Sequence, residues 1–184
     1  MNAHSDAIYQ WIRSHYFGKY RGTVSDTDDP TSRGRLKVKV PSVLGDLELW
    51  AMPCVPYAGT KVGFYALPEP GTGVWVEFEA GDPSYPVWSG FFWGDGDLPS
   101  EASSASQKVW KTAGVTITID DDAGEITIVN QSQAKLTVGN DIEMNVQPAT
   151  LKVASDSITS DCIAGNVQIS AAGVSVNHGA LQVI

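Results

Sequence analysis

From Val115 to Ile184 the chain alternates apolar and polar residues in short pulses. The pulses are Val115–Ile119, Glu125–Ile128, Leu136–Val138, Ile142–Val146, Leu151–Val153, Val167–Ile169, Val174–Val176 and Leu181–Val183. Alternation with period two sends one set of side chains to each face of a strand. The pulses recur roughly every 7 to 11 residues, a quasi-period expected of a β-solenoid or β-prism. Every aromatic residue lies at or before Trp110, so the repeated core is narrow and aliphatic. Pulses this short do not close a core within one chain. They predict a rod in which several chains wind about a common axis with their apolar faces inward.

The first part of the chain reads differently. Ile8, Trp11, Ile12 and Tyr16 recur at helical spacing, which predicts a short amphipathic helix over Ser5–Phe17 with Ser5 or Asp6 as its cap. Such a helix is marginal alone and docks either on its own domain or on a partner. Lys19–Val24, Arg35–Val40, Leu47–Met52, Val74–Glu79 and Val87–Trp93 then read as five strands. Turn residues separate them, among them Asp28–Pro30, Pro41 with Gly45, Gly71 with Gly73, and Gly81–Pro83. Five short antiparallel strands suit a small Greek-key barrel of the OB type. The connection from Val55 to Thr72 carries Tyr57, Phe64 and Tyr65, and loops of that length are usually functional. The stretch after Trp93 is rich in Asp, Gly, Ser and Ala, a linker composition. The expected division is an N-terminal helix at 1–18, a barrel at 19–94, a linker at 95–110 and a spike at 111–184.

Composition narrows the function. With 184 residues, 18 of them Gly and 10 Pro, the chain suits one compact, turn-rich β domain plus an extended appendage. No apolar run approaches the ~20 residues of a membrane span. The start lacks the basic flank and apolar run of a signal peptide, so synthesis and assembly in the bacterial cytoplasm are expected. A net charge of −9 argues against a nucleic-acid partner. No Lys or Arg follows Lys152, whereas Asp156 and Asp161 do, which leaves an acidic, soluble rod. Cys54 and Cys162 are expected to be free, buried thiols in a reducing compartment.

Several ordered blocks carry a family resemblance: Tyr20–Val24, Asp29-Pro30, Gly34–Pro41, Trp50–Pro53, Pro56–Gly59, Gly63, Pro68–Gly71, Val74–Asp82, Pro86 and Gly90. This part of the chain resembles the OB-fold domain of phage baseplate assembly protein V and of the valine-glycine-repeat spikes of type VI secretion. The pulses that follow are similar to that family's trimeric β-helical needle, and Val115–Val129 to its usual first hairpin. The resemblance implies an all-β chain, an OB-fold barrel followed by a trimeric β-helix or β-prism needle. It implies a homotrimer whose inward residues include Ile117, Ile128, Val138, Val153, Ile169 and Val176. The partners it implies are a baseplate hub protein, a PAAR-like tip protein over Leu181, Val183 and Ile184, and the target cell envelope during injection. The place it implies is a virion tail baseplate or a phage-like injection particle.

Candidate chemistry is sparse. Ser89-Gly90 lacks a nucleophile-elbow context, and His4, His15 and His178 lack metal-motif spacing, so no enzyme activity is expected. Asp120–Asp122 has carboxylates for calcium, but its spacing is wrong for an EF-hand and Asp121–Gly124 is good turn chemistry. If the alternation through Val174 and Val176 continues, His178 points inward, and three copies can hold iron or zinc at the tip. The family's His-x-His is halved here, because Val176 stands in its first position. The other reading puts His178 in a turn before Gly179. A trimeric receptor- or carbohydrate-binding fibre and a type VI spike are the alternatives. The needle's lack of aromatic residues counts against glycan stacking.

Overall fold

The computed structural model describes residues 3–183 as an all-β chain with one short N-terminal helix. Two compact units divide at Asp97 and Leu98.

The first unit begins with α1 (Ala3–Ser14) and continues through β1 (Tyr20–Asp26), β2 (Leu36–Lys39), α2 (Pro41–Leu44) and β3 (Glu48–Pro53). A small hairpin follows, β4 (Ala58–Gly59) with β5 (Val62–Gly63), and then β6 (Gly73–Phe78) and β7 (Pro86–Phe92). Strands β1, β2, β3, β7 and β6, in that order, close an OB-like barrel. The β3–β7 pair is parallel and its other neighbours are antiparallel. Period-two alternation fills it: Leu36 and Val38 from β2, and Val74, Val76 and Phe78 from β6, point inward with Val24, Ala51 and Trp88. Each such aliphatic side chain contributes roughly 1.5–3 kcal/mol by leaving water. Gly22 is required where β1 crosses β2, since a Cβ there would lie 2.7 Å from the Lys39 carbonyl oxygen.

One loop is clamped by charge. The Asp29 carboxylate accepts hydrogen bonds from the Thr31 and Arg33 amides at 3.0 and 2.7 Å. It also accepts from Arg35 Nε and Nη2 at 3.0 and 2.7 Å. The Arg35 guanidinium rests over Trp50, 5.4 Å from the ring centroid. The Trp88 indole N–H donates to the Gly34 carbonyl at 3.2 Å and ties the same loop to β7.

The expected strands of the barrel appear with ends shifted by a residue or two. The helix starts earlier than expected, at Ala3, so Ser5 and Asp6 lie in its first turn and not at its cap. Helix α2 was not visible in the period; Pro41 sets its first turn and Gly45, at φ 59°, ends it. The cysteines correct an expectation, because Cys54 and Cys162 are free but both exposed in the chain. Each lies at or just beyond a strand end, where the alternation no longer buries it.

The second unit is one ten-stranded sheet. Its strands are β8 (Gln107–Lys111), β9 (Val115–Asp120), β10 (Glu125–Asn130), β11 (Lys135–Val138), β12 (Ile142–Val146), β13 (Ala149–Val153), β14 (Ser157–Cys162), β15 (Gly165–Ser170), β16 (Gly173–Val176) and β17 (Leu181–Val183). Each strand pairs antiparallel with the next, a continuous meander. The pulses of the sequence all lie in these strands. Strands β8 and β14 are additional, and β8 occupies residues that composition assigned to a linker. A single chain presents an open sheet with edge strands β8 and β17.

Arg35 holds the Asp29 carboxyl well below the usual carboxylate range, helped by the Thr31 and Arg33 amides. A depressed native value stabilises the fold above the unfolded value of ~3.9 and is lost as pH falls further. Asp29→Asn is therefore expected to lower the thermal midpoint at pH 6, with the gap to wild type narrowing on acidification below about pH 4. A gap independent of pH in thermal melts would contradict this assignment.

Candidate functional site

Residues directly opposite in an antiparallel pair project on the same face. Following the register across the second unit gives two columns of side chains on one face. The first runs Trp110, Ile117, Ile128, Leu136, Met144 and Leu151, and continues through Ser160, Val167, Val176 and Leu181. The second runs Lys108, Ile119, Ile126, Val138 and Ile142, and continues through Val153, Ile158, Ile169 and Val174. The register thus places Ile117, Ile128, Val138, Val153, Ile169 and Val176 together on this face. The opposite face carries Thr118, Thr127, Thr137, Glu143, Lys152 and Thr159 in succession. Within the chain the apolar face stays half uncovered: Ile142 is 45% exposed, Met144 50% and Ile169 47%. So large an uncovered apolar patch marks an interaction surface.

The end of the sheet departs from the alternation. Strand β16 stops at Val176, and Asn177 and His178 follow in a turn with φ of 49° and 57°. The His178 side chain is exposed, and its amide donates to Asn166 Oδ1 at 3.0 Å. The count that sent His178 inward ends two residues too early, because left-handed backbone breaks the two-residue period. Leu181 returns to the apolar face opposite Val176, and Val183 pairs with Val174 along the backbone. Ile184 lies outside the described residues.

The acidic turn is held by local bonds. Asp120 Oδ1 accepts from the Asp122 and Ala123 amides, each at 3.0 Å, and Oδ2 from Gln107 at 3.3 Å. The Ala123 amide, with Gln107, holds the Asp120 carboxyl below its ordinary range. Asp121 pairs with Lys108. Among the described residues no cluster of three His, Cys, Asp or Glu side chains could hold a metal within one chain.

The barrel offers a second surface. The long connection folds over as β4–β5, and the Phe64 amide donates to the Tyr57 carbonyl at 2.9 Å. Between this hairpin and the barrel lies a groove of about 540 Å³ whose walls include Pro53, Val55, Tyr57, Val62 and Leu67. Its charged lining residues are Arg33 and Lys61, both cations. The stripe Ile8, Trp11 and Ile12 of α1 is about half exposed. The helix is tied at its C-terminal end, where the Tyr16 amide donates to Gly81 O at 2.7 Å. Gly81, at φ 83°, leaves room for the Phe17 ring, 2.9 Å from where a Cβ would stand. The sequence did not reveal the cluster in which the Arg21 guanidinium lies over both Trp75 and Phe92, 5.0 and 4.6 Å from their centroids, while the two rings contact each other at 5.0 Å.

Residues 20–93 match the family model of the type VI secretion system/phage-baseplate injector OB domain. Comparison with curated proteins gave no match.

With the Asp120 and Asp121 carboxylates engaged in the turn, millimolar calcium is expected to leave the thermal midpoint unchanged. A rise of several degrees in calorimetry would show that the turn is a cation site.

Proposed function

We propose that this chain, whose residues 20–93 match the family model of the type VI secretion system/phage-baseplate injector OB domain, is the structural central spike of a contractile injection machine. Three chains place their apolar sheet faces together about one axis and form a needle. The observation that carries this reading is the unbroken register that collects aliphatic side chains from nine successive strands, β9 to β17, on one exposed face. A second copy of the same face is its natural cover, since each chain supplies an identical patch of matching length. Strands about 4.8 Å apart make such a stack roughly 45 Å tall.

In this reading the machine drives the needle mechanically through the target envelope, and the chain catalyses no reaction. Stiffness comes from a sheet whose interior strands are hydrogen-bonded on both sides and whose core is shared. The outward face is the polar one, rich in Thr and charged residues, as a rod in water requires. The groove beside β4–β5 and its cationic rim suit docking beneath a hub protein, and the apolar end at Leu181 suits a separate tip protein. The particle is a phage tail baseplate or a phage-like relative; a type VI spike is the second reading, supported by the same family match. An iron or zinc site at the tip forms no part of this proposal, because the alternation that pointed His178 inward stops at Val176.

Paired substitutions on the two faces test the reading. Ile142→Asp puts three carboxylates into the shared core, where unpaired charge is strongly disfavoured. Thr137→Asp puts the same group on the outer face of the neighbouring strand. The expected result in analytical ultracentrifugation is at least tenfold weaker association for Ile142→Asp and little change for Thr137→Asp. Equal effects would sink the assignment of inner and outer faces.

A further inference from the structure

In the first column of the apolar face, the one polar member is Ser160. It stands in β14 directly opposite Leu151 of β13 and Val167 of β15. Along its own strand, Ile158 and Cys162 share the face. Other polar residues on this face sit at its margins with partners. Lys108, in the edge strand β8, pairs with Asp121. Asn130, at the end of β10, accepts the Ala134 amide at 3.0 Å. Ser160 lies in the interior of the sheet, exposed in the chain, and among the described residues its hydroxyl makes no hydrogen bond.

We propose that Ser160 sets the register in which three copies of the sheet close, an inference that rests on the three-chain reading above. Burial of aliphatic side chains is non-directional and does not distinguish one neighbour from the next. Sliding one sheet past its neighbours by a hairpin, about 10 Å, brings aliphatic side chains back against aliphatic side chains. It does not bring Ser160 back to Ser160. In the matched register three hydroxyls, each a donor and an acceptor, meet around the axis and satisfy one another. In a slipped register each hydroxyl is desolvated against aliphatic carbon and loses its bond. A single buried polar residue selects register in coiled coils for the same reason.

The test uses the full chain with Cys54→Ser, Cys162→Ala and Gln168→Cys, so that no second hydroxyl enters the face. Gln168 is exposed on the polar face of β15, and a nitroxide is attached there. Double electron–electron resonance reads the distances among the labels. A three-fold assembly in one register has a single inter-label distance, expected for Ser160 and for Ser160→Thr. Ser160→Val has the shape of threonine without the hydroxyl, and it is expected to add a longer component from an axial offset of about 10 Å. The same single narrow distance for Thr and Val would overturn the proposal. So would a Val variant that fails to associate beside a trimeric Thr variant, since the hydroxyl would then serve association and not register. Light scattering on the same samples separates the two ideas. A monomeric parent removes the three-chain reading and this proposal with it, whereas a trimer indifferent to Ser160→Val removes this proposal alone.

Discussion

An apolar face that its own chain leaves half uncovered is the constraint on which the second unit depends. Every backbone ladder in the sheet is satisfied by a sequential neighbour, so hydrogen bonding asks for nothing further except at the edge strands β8 and β17. The side chains do. Covering a half-exposed aliphatic group is worth on the order of 1 kcal/mol, and the two columns together outweigh the ~4–15 kcal/mol cost of association. The Thr-rich opposite face has no such demand. In the proposed assembly copies of the sheet close this apolar side with the same residues in every chain.

The barrel solves a different problem. Its core is complete within one chain, with Leu36, Val38, Val74 and Val76 fully buried. The Asp29–Arg35 clamp and the Trp88–Gly34 bond hold the loop between β1 and β2 firmly. That leaves the hairpin groove and the α1 stripe as surfaces carried by a rigid body, which is what a docking module needs.

Much of this was legible in the sequence because β-branched residues at every second position have one structural meaning. Val74–Phe78 and Val115–Ile119 announce both a strand and its buried side. Strand β14 was hidden because Ser160 and Cys162 dilute the alternation, so only Ile158 stood out. Strand β8 was hidden because Lys108 occupies an apolar-face position, and only the register with Ile119 reveals it. The hairpin β4–β5 is too short to carry a period at all. Of the two readings of His178, the turn before Gly179 fits the single chain, because alternation does not extend through two successive left-handed residues. The six core positions named from the sequence share one face in the structure.

The most direct measurement is the solution mass of the intact protein by light scattering after size exclusion. A shared three-chain core gives three times the chain mass of 19.7 kDa, unchanged on tenfold dilution. A monodisperse peak at the mass of one chain would contradict it, since the apolar face would then be stable uncovered and the shared core would not exist.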